Sequence, residues 1–330
     1  MKLGNNAMSD ILNITNGDCA VDVMKKANIP GIFLPWRDIL HDGPVPKGLS
    51  LEELSQVRAK FIISRGWGTE EDIVRDFVER DNILKSFREF KKIILWFEHD
   101  LYDQLQILQI LDWFYHNGQN EIPLSLICKD TYLGPLSADE MKNLLKYEEA
   151  ITNEQLLLAS KAWSAFRSNT PEEWFSLLSI NTSALPFLES AILRLLEEYP
   201  NSTNGLSRTA QQALECISGG EKLPGKVFGC SQDLEDSMFM GDSSFWVILR
   251  ELLYSNPPLL KLPKGKKLSL SASTDKELTI TPEGMDVLSG KSNWLDSADL
   301  NRWIGGVHLK PNNFWCWNAD SRSIVKRMVN

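Results

Sequence analysis

Short apolar runs and helical stripes alternate through the first 130 residues. Ile11–Thr15 is an apolar run of strand length, closed by the turn signal Asn16-Gly17-Asp18 and followed by a helical pattern over 21–27. A second run at 31–36 leads into Arg37-Asp38 and the loop His41-Asp42-Gly43-Pro44-Val45-Pro46. Ser50 with Glu53 predicts a capping box before a helix carrying Leu51, Leu54, Arg58, Phe61 and Ile62. Thr69 with Asp72 opens another, through Ile73, Val74, Phe77 and Val78. Ile93-Ile94-Leu95-Trp96-Phe97 is apolar at every position, as in a strand covered on both faces. Leu101, Leu105, Leu108, Leu111 and Phe114 form the stripe of a well-buried helix, and 123–128 is a fourth strand. Strand, helix and strand at this spacing predict βαβ units in a mostly parallel, Rossmann-like sheet with helices on both faces.

From Ser137 the pattern turns helical. Capping signals recur at Ser137 with Glu140, at Thr152 with Gln155, and at Thr170 with Pro171 and Glu173. A further helix is expected over 186–199, and the polar loop 200–205 marks a boundary. Beyond it come a helix over 208–217, a helix over 244–254, and a hairpin of 268–272 with 278–280. Thr281-Pro282 starts a short helix ended by Gly290. Helix, helix, hairpin is the order of a winged helix. The expected division is an α/β sheet domain over 8–135, a helical region over 136–200 and a winged-helix-like unit over 201–330, with Met8 as an alternative start.

Composition changes this picture in two respects. The chain has 330 residues and a formal charge of −9, and the excess is local. Residues 1–199 hold 20 basic and 30 acidic side chains, and residues 200–330 hold 15 and 14. The first part should repel bare polyanions unless local basic groups or a metal intervene. No run approaches the roughly 18 uninterrupted apolar residues of a membrane span. The five cysteines, Cys19, Cys128, Cys216, Cys230 and Cys316, form no CxxC pair, and residues 1–9 carry no apolar signal-peptide core. Reduced thiols in a bacterial-type cytoplasm are therefore expected.

Each of the four strands runs into an aspartate: Asp18, Asp38, Asp100 and Asp130. An open parallel sheet brings its carboxyl ends to one edge, where ligands bind. Two of these ends carry histidine as well, in His41-Asp42 and in Glu98-His99-Asp100. Carboxylates there suit a hard divalent cation such as magnesium, and an imidazole can move a proton near neutral pH. The expected catalytic residues are His41, His99, Asp38 and Asp100. Asp18, Arg37, Asp42, Arg58, Glu98, Asp103 and Gln104 are the expected ligand-binding residues, the arginines serving an anion. Asp18 and Asp100 also stand where helices begin, so capping competes with chemistry. His116 and His308 read as structural. No GxGxxG, Walker loop, GxSxG elbow or HExxH follows any strand, which removes most of the case for dinucleotide enzymes, P-loop NTPases, serine hydrolases and zincins.

At these clusters the chain resembles a bacterial family catalogued as domain of unknown function 1835. The resemblance lies in Asn16-Gly17-Asp18, in Trp36-Arg37-Asp38 through Pro46, and in Leu95 through Leu105. The stretches from Trp163 through Pro171, Ala184–Phe187, Gly205–Thr209 and Arg302–Leu309 look like its usual companion, domain of unknown function 3658. Ala210-Gln211 departs from the companion's pattern, where an acidic residue followed by Arg or Gln is expected. The resemblance implies that both clusters share one domain, and it implies no chemistry.

Three functions compete. The first is an enzyme acting on a phosphorylated or nucleotide-like small molecule at the acidic rim. The second is a ligand-sensing regulator that binds nucleic acid through the C-terminal unit. Its candidate recognition helix, with Phe245, Trp246, Ile248, Leu249, Leu252 and Leu253, has Arg250 as its only basic residue, although Lys261, Lys264, Lys266 and Lys267 follow. The third is a protein-interaction module using the tryptophans Trp294, Trp303, Trp315 and Trp317, which a tryptophan-rich core explains equally. A small-molecule partner is expected, nucleic acid is disfavoured, and no membrane association is expected.

Overall fold

A computed structural model describes residues 10–118, 121–263, 276–311 and 313–327. The expected strand 268–272, Lys264, Lys266, Lys267 and Met8 lie outside the described residues. The chain forms two compact units. The first comprises residues 10–40, 45–167 and 179–191. The second comprises 41–44, 168–178 and 192 onward.

In chain order, β1 (Ile11–Thr15), α1 (Asp18–Lys26) and β2 (Ile32–Pro35) open the first unit. The two-residue β3 (Gly43–Pro44) belongs to the second. The first unit resumes with α2 (Leu51–Ser64), α3 (Glu70–Lys85), β4 (Lys92–Phe97), α4 (Leu101–Asn117) and β5 (Leu124–Cys128). It continues with α5 (Ala138–Asn143), the short β6 (Glu149–Ala150) and α6 (Asn153–Phe166), which packs along α4. The expected capping boxes form at Ser50 with Glu53, Ser137 with Glu140 and Thr152 with Gln155. Thr170 makes none, because Pro171 takes the capping position of α7 (Glu172–Ser176).

The first unit is α/β, built on one five-stranded sheet in the order β2-β1-β4-β5-β6. The first four strands are parallel and β6 runs antiparallel to β5. Side chains alternate across a strand, so Ile94 and Trp96 face one side while Ile93, Leu95 and Phe97 face the other. All five are buried. The first side packs on Ala20, Val23 and Met24 of α1 and on Met141 of α5. A polar pair is sealed into the sheet: the Trp96 indole N–H donates to Asn13 Oδ1 at 2.9 Å, and Asn13 Nδ2 donates to the Pro30 carbonyl. Gly31 closes over this pair at φ 131°, and a Cβ there would stand 2.3 Å from Asn13 Nδ2.

The second unit carries the end of α8 (Leu188–Leu196), then α9 (Arg208–Ser218), α10 (Pro224–Asp233) and α11 (Asp242–Tyr254). β7 (Leu260–Lys261) pairs antiparallel with β8 (Thr279–Ile280), ahead of α12 (Pro282–Leu288). β9 (Arg302–Gly305) lies between β10 (Val307–Leu309) and β3, and β11 (Phe314–Asn318) pairs with β12 (Ser323–Arg327). Trp294, Trp315 and Trp317 are buried. A charged network is buried too. Arg194 pairs with Glu198 at 2.8 Å and Glu235 at 2.7 Å, and Arg302 reaches Glu198 at 3.2 Å. Burial pushes the Glu198 carboxyl up, but the charges of Arg194 and Arg302 outweigh it and hold it at about 2.

The expectation of five reduced thiols is corrected. Cys216 of α9 and Cys230 of α10 are joined in a disulfide, whereas Cys19, Cys128 and Cys316 are free. The two partners are 14 residues apart, a spacing that carries no motif. Among the described residues no helix is long and apolar enough to cross a membrane.

Candidate functional site

The order β2-β1-β4-β5 places a topological switch point between β1 and β4. From β1 the chain crosses to β2 on one side; from β2 it returns past β1 to β4 on the other. The loops leaving β1 and β4 therefore diverge and open a crevice, the preferred ligand position of an open α/β sheet. Asn16-Gly17-Asp18 leaves β1 there, and Glu98-His99-Asp100 leaves β4.

Three carboxylates converge at the β4 exit. Glu98, Asp100 and Asp103 are buried, and one oxygen from each lies within 4.8 Å of the others. Local structure explains their meeting. Asp100 caps α4, its Oδ1 accepting from the Tyr102 and Asp103 amides at 2.9 and 3.2 Å. This cap turns the chain so that Asp103 reaches back, its Oδ1 accepting from the Glu98 amide at 2.6 Å. Glu98 Oε1 accepts from the Leu133 amide at 2.7 Å, beyond β5. Asn16 crosses from β1 and donates to Asp103 Oδ2 at 3.0 Å. Gln104 donates to the Glu98 carbonyl at 2.9 Å, and the Cys128 thiol donates to the same oxygen at 3.3 Å. Each carboxylate is thus held in place by a backbone amide.

Burial and mutual repulsion make this trio a poor set of free anions. Burial pushes the Glu98 carboxyl up. Burial, and then the Glu98 charge, push Asp100 up to about 8. Asp103 is raised well above the carboxylate range by burial and by the charges of Asp100 and Glu98. Three carboxyl groups so close cannot all ionise unaided; protons or a cation must neutralise them. Burial also pushes the Cys128 thiol up to about 12, which disfavours the reactive thiolate.

His99 stands between Glu98 and Asp100 in sequence and is nine-tenths buried. Its Nε2 lies 3.1 Å from Asp130 Oδ1, and its ring packs against Tyr132 and Phe187 at centroid distances of 5.0 and 5.8 Å. Its Nδ1 is buried and has no hydrogen-bond partner among the described residues. Asp130 is largely exposed, so the pair leads from the buried ring to solvent. Such a pair is the usual arrangement for orienting an imidazole that moves protons.

On the other side of β1, Arg37 adopts φ 51°, an uncommon left-handed conformation for arginine. It grips Asp18 through two hydrogen bonds of 2.8 and 2.6 Å and reaches Asp76 at 3.0 Å. Asp18 is the first residue of α1, Gly17 holds the cap position, and the Asp18 side chain makes no cap. The hydrogen bonds from Arg37 hold the Asp18 carboxyl below its usual range. Arg37 is thus already paired with two acids.

The remaining expected site residues are not members of the trio. Asp38 and Arg58, expected as a catalytic and a ligand-binding residue, form an ion pair with each other. Both are fully buried, joined at 2.9 Å, with Arg80 at 3.9 Å from Asp38. Arg58 also donates to the Ile39 carbonyl, and Gln106 donates to the Asp38 carbonyl. His41 and Asp42 belong to the second unit, where His41 packs edge-on against Phe239 at 5.1 Å. His116 pairs with Asp112 at 3.4 Å, and His308 stacks on Trp303 at 4.2 Å. The sequence reading missed Asn16, which looked like a turn former, and Cys128, which looked like an ordinary thiol. The position of Asn16 at the end of β1 was the available signal.

The chain matches no protein-family model, and no curated protein is significantly similar to it.

Proposed function

We propose that the first unit is an enzyme that handles a phosphorylated or nucleotide-like small molecule with the help of a divalent cation. The observation that carries this reading is the buried Glu98, Asp100 and Asp103 trio at the β1–β4 switch point. Magnesium and manganese favour such oxygen donors, and a dication neutralises charges that otherwise require protons. In this reading Asn16 and the backbone amides hold the ligating carboxylates, Gln104 fixes the Glu98 backbone, and a cation held there would supply charge for a phosphate. His99, oriented by Asp130, accepts or returns a proton at Nδ1. Arg37 and Asp18 border the ligand beside β1. The resemblance to domains of unknown function 1835 and 3658 belongs to the same proposal and adds no chemistry to it.

The test is thermal unfolding and calorimetric titration with magnesium, manganese and a nucleotide panel. The proposal expects a cation-dependent gain in stability and nucleotide binding that requires the cation. Absence of both, with Asp100→Asn and His99→Ala indistinguishable from the wild type, overturns it.

The winged-helix-like reading of 201–330 rests on the order α9, α10, α11 followed by the β7–β8 pair. It supports no nucleic-acid function. Phe245, Trp246, Ile248, Leu249, Leu252 and Leu253 of α11 are all buried, so this helix is a core element without a basic reading face.

A further inference from the structure

A cavity of about 220 Å³ opens beside the carboxyl end of β2. Its walls include Trp36, Trp67 and Phe77, and its polar groups come from Arg37, Asp76 and Arg80. It is large enough for one heteroaromatic ring and far too small for a dinucleotide. We propose that it is a nucleobase subsite, so that the ligand of the first unit is a mononucleotide lying across the rim. The inference rests on the function proposed above and names its substrate class.

The charges in the cavity argue against an anion. Arg37 is shared by Asp18 and Asp76, and Arg80 is bonded to Asp81 at 3.0 Å and lies 3.9 Å from Asp38. Neither guanidinium is an uncompensated positive charge. Arg80 already lies 4.3 and 4.5 Å over the Trp36 and Phe77 rings, and the rest of the lining, Ile39, Ile62, Trp67 and Ile73, is apolar, so a bare phosphate gains little here and a neutral, flat ring is favoured. Asp76 is an acceptor about one-third exposed and suits the amino edge of adenine, guanine or cytosine. Uracil, which has no amino group, fits less well.

Position on the sheet supplies the second argument. β2, β1 and β4 are adjacent, so the strand ends that lead to the cavity and to the carboxylate trio are about two strand spacings apart, roughly 10 Å. A sugar with its phosphates bridges such a distance. Arg37 stands between the two places, tied to Asp18 at the start of α1 and to Asp76 on α3.

The test uses the full chain with free nucleosides, which carry no phosphate, in the presence of a chelator. Adenosine, guanosine, cytidine, uridine and ribose are titrated by ligand-observed NMR. At least one amino-bearing nucleoside is expected to saturate, and uridine and ribose are expected to bind at least fivefold more weakly. Asp76→Ala should weaken that nucleoside at least fivefold, with Trp67→Phe as a milder second variant, and the surface change Lys91→Ala should leave it within twofold. No nucleoside binding, or binding unchanged in both cavity variants, overturns the subsite. If nucleosides fail while manganese and nucleotides still bind through the trio, the subsite falls and the proposed function stands. If nucleosides bind and no cation does, the reverse holds.

Discussion

Asp100→Asn should stabilise the protein in a pH-dependent way when no divalent cation is present. Asparagine is as good a cap as aspartate and keeps an acceptor for the Tyr102 and Asp103 amides, so the start of α4 is preserved. What changes is the charge. In the unfolded chain Asp100 releases its proton near pH 4, and in the folded protein burial and Glu98 delay this to about 8. Between those values the folded state binds more protons than the unfolded state, so stability falls as pH rises through the window. The ceiling of this cost near pH 7 is about 4 kcal/mol. Because buried sites behave as if more polarisable than a dry interior, about 2 kcal/mol is the realistic share. For a unit of this size that corresponds to a melting-temperature gain of about 4–8 °C. The assay is thermal unfolding of both proteins in chelator at about pH 5 and about pH 8. A gain at the higher pH that shrinks at the lower one is expected. An equal effect at both values, or a loss of stability at pH 8, refutes the reasoning.

Other consequences are independent of the trio. Asp38→Asn removes the buried carboxylate that Arg58 meets at 2.9 Å and should destabilise by about 3 kcal/mol, seen as a lower urea midpoint with an unchanged slope. Cys216→Ser opens a loop of 14 residues and should lower stability by about 3 kcal/mol under oxidising conditions, with no further loss on adding reductant. Gly31→Ala drives a methyl group into Asn13 at a positive φ, and a loss of stability of at least about 2 kcal/mol, seen as a reduced melting temperature, is the expected result. Iodoacetamide should label exposed Cys19 within minutes and leave native Cys128 unmodified, as mass spectrometry would show.

The elements that follow local rules were legible in the chain. The apolar run 93–97 becomes the central β4, buried on both faces, and three capping boxes form where Ser50, Ser137 and Thr152 predicted them. The cluster of Glu98, Asp100 and Asp103 was legible for the same reason, since a capped helix start folds positions two and five residues on back toward Glu98. What was not legible depended on distant partners. Asp38 follows a strand, as Asp18 and Asp100 do, but its fate is set by Arg58, twenty residues later on α2. His41 and Asp42 follow β2 closely, yet β3 pairs with β9, more than 250 residues away, and carries the segment into the second unit. The Cys216–Cys230 bond depends on how α9 meets α10, which no spacing rule encodes.

Counting manganese ions bound to the chain tests the central claim most directly. Electron paramagnetic resonance or calorimetric titration should find one ion per chain, weakened at least about tenfold by Asp100→Asn and by Glu98→Gln. Binding that is undetectable at millimolar manganese, or equally strong in both variants, contradicts the assignment of the switch-point carboxylates as a cation site.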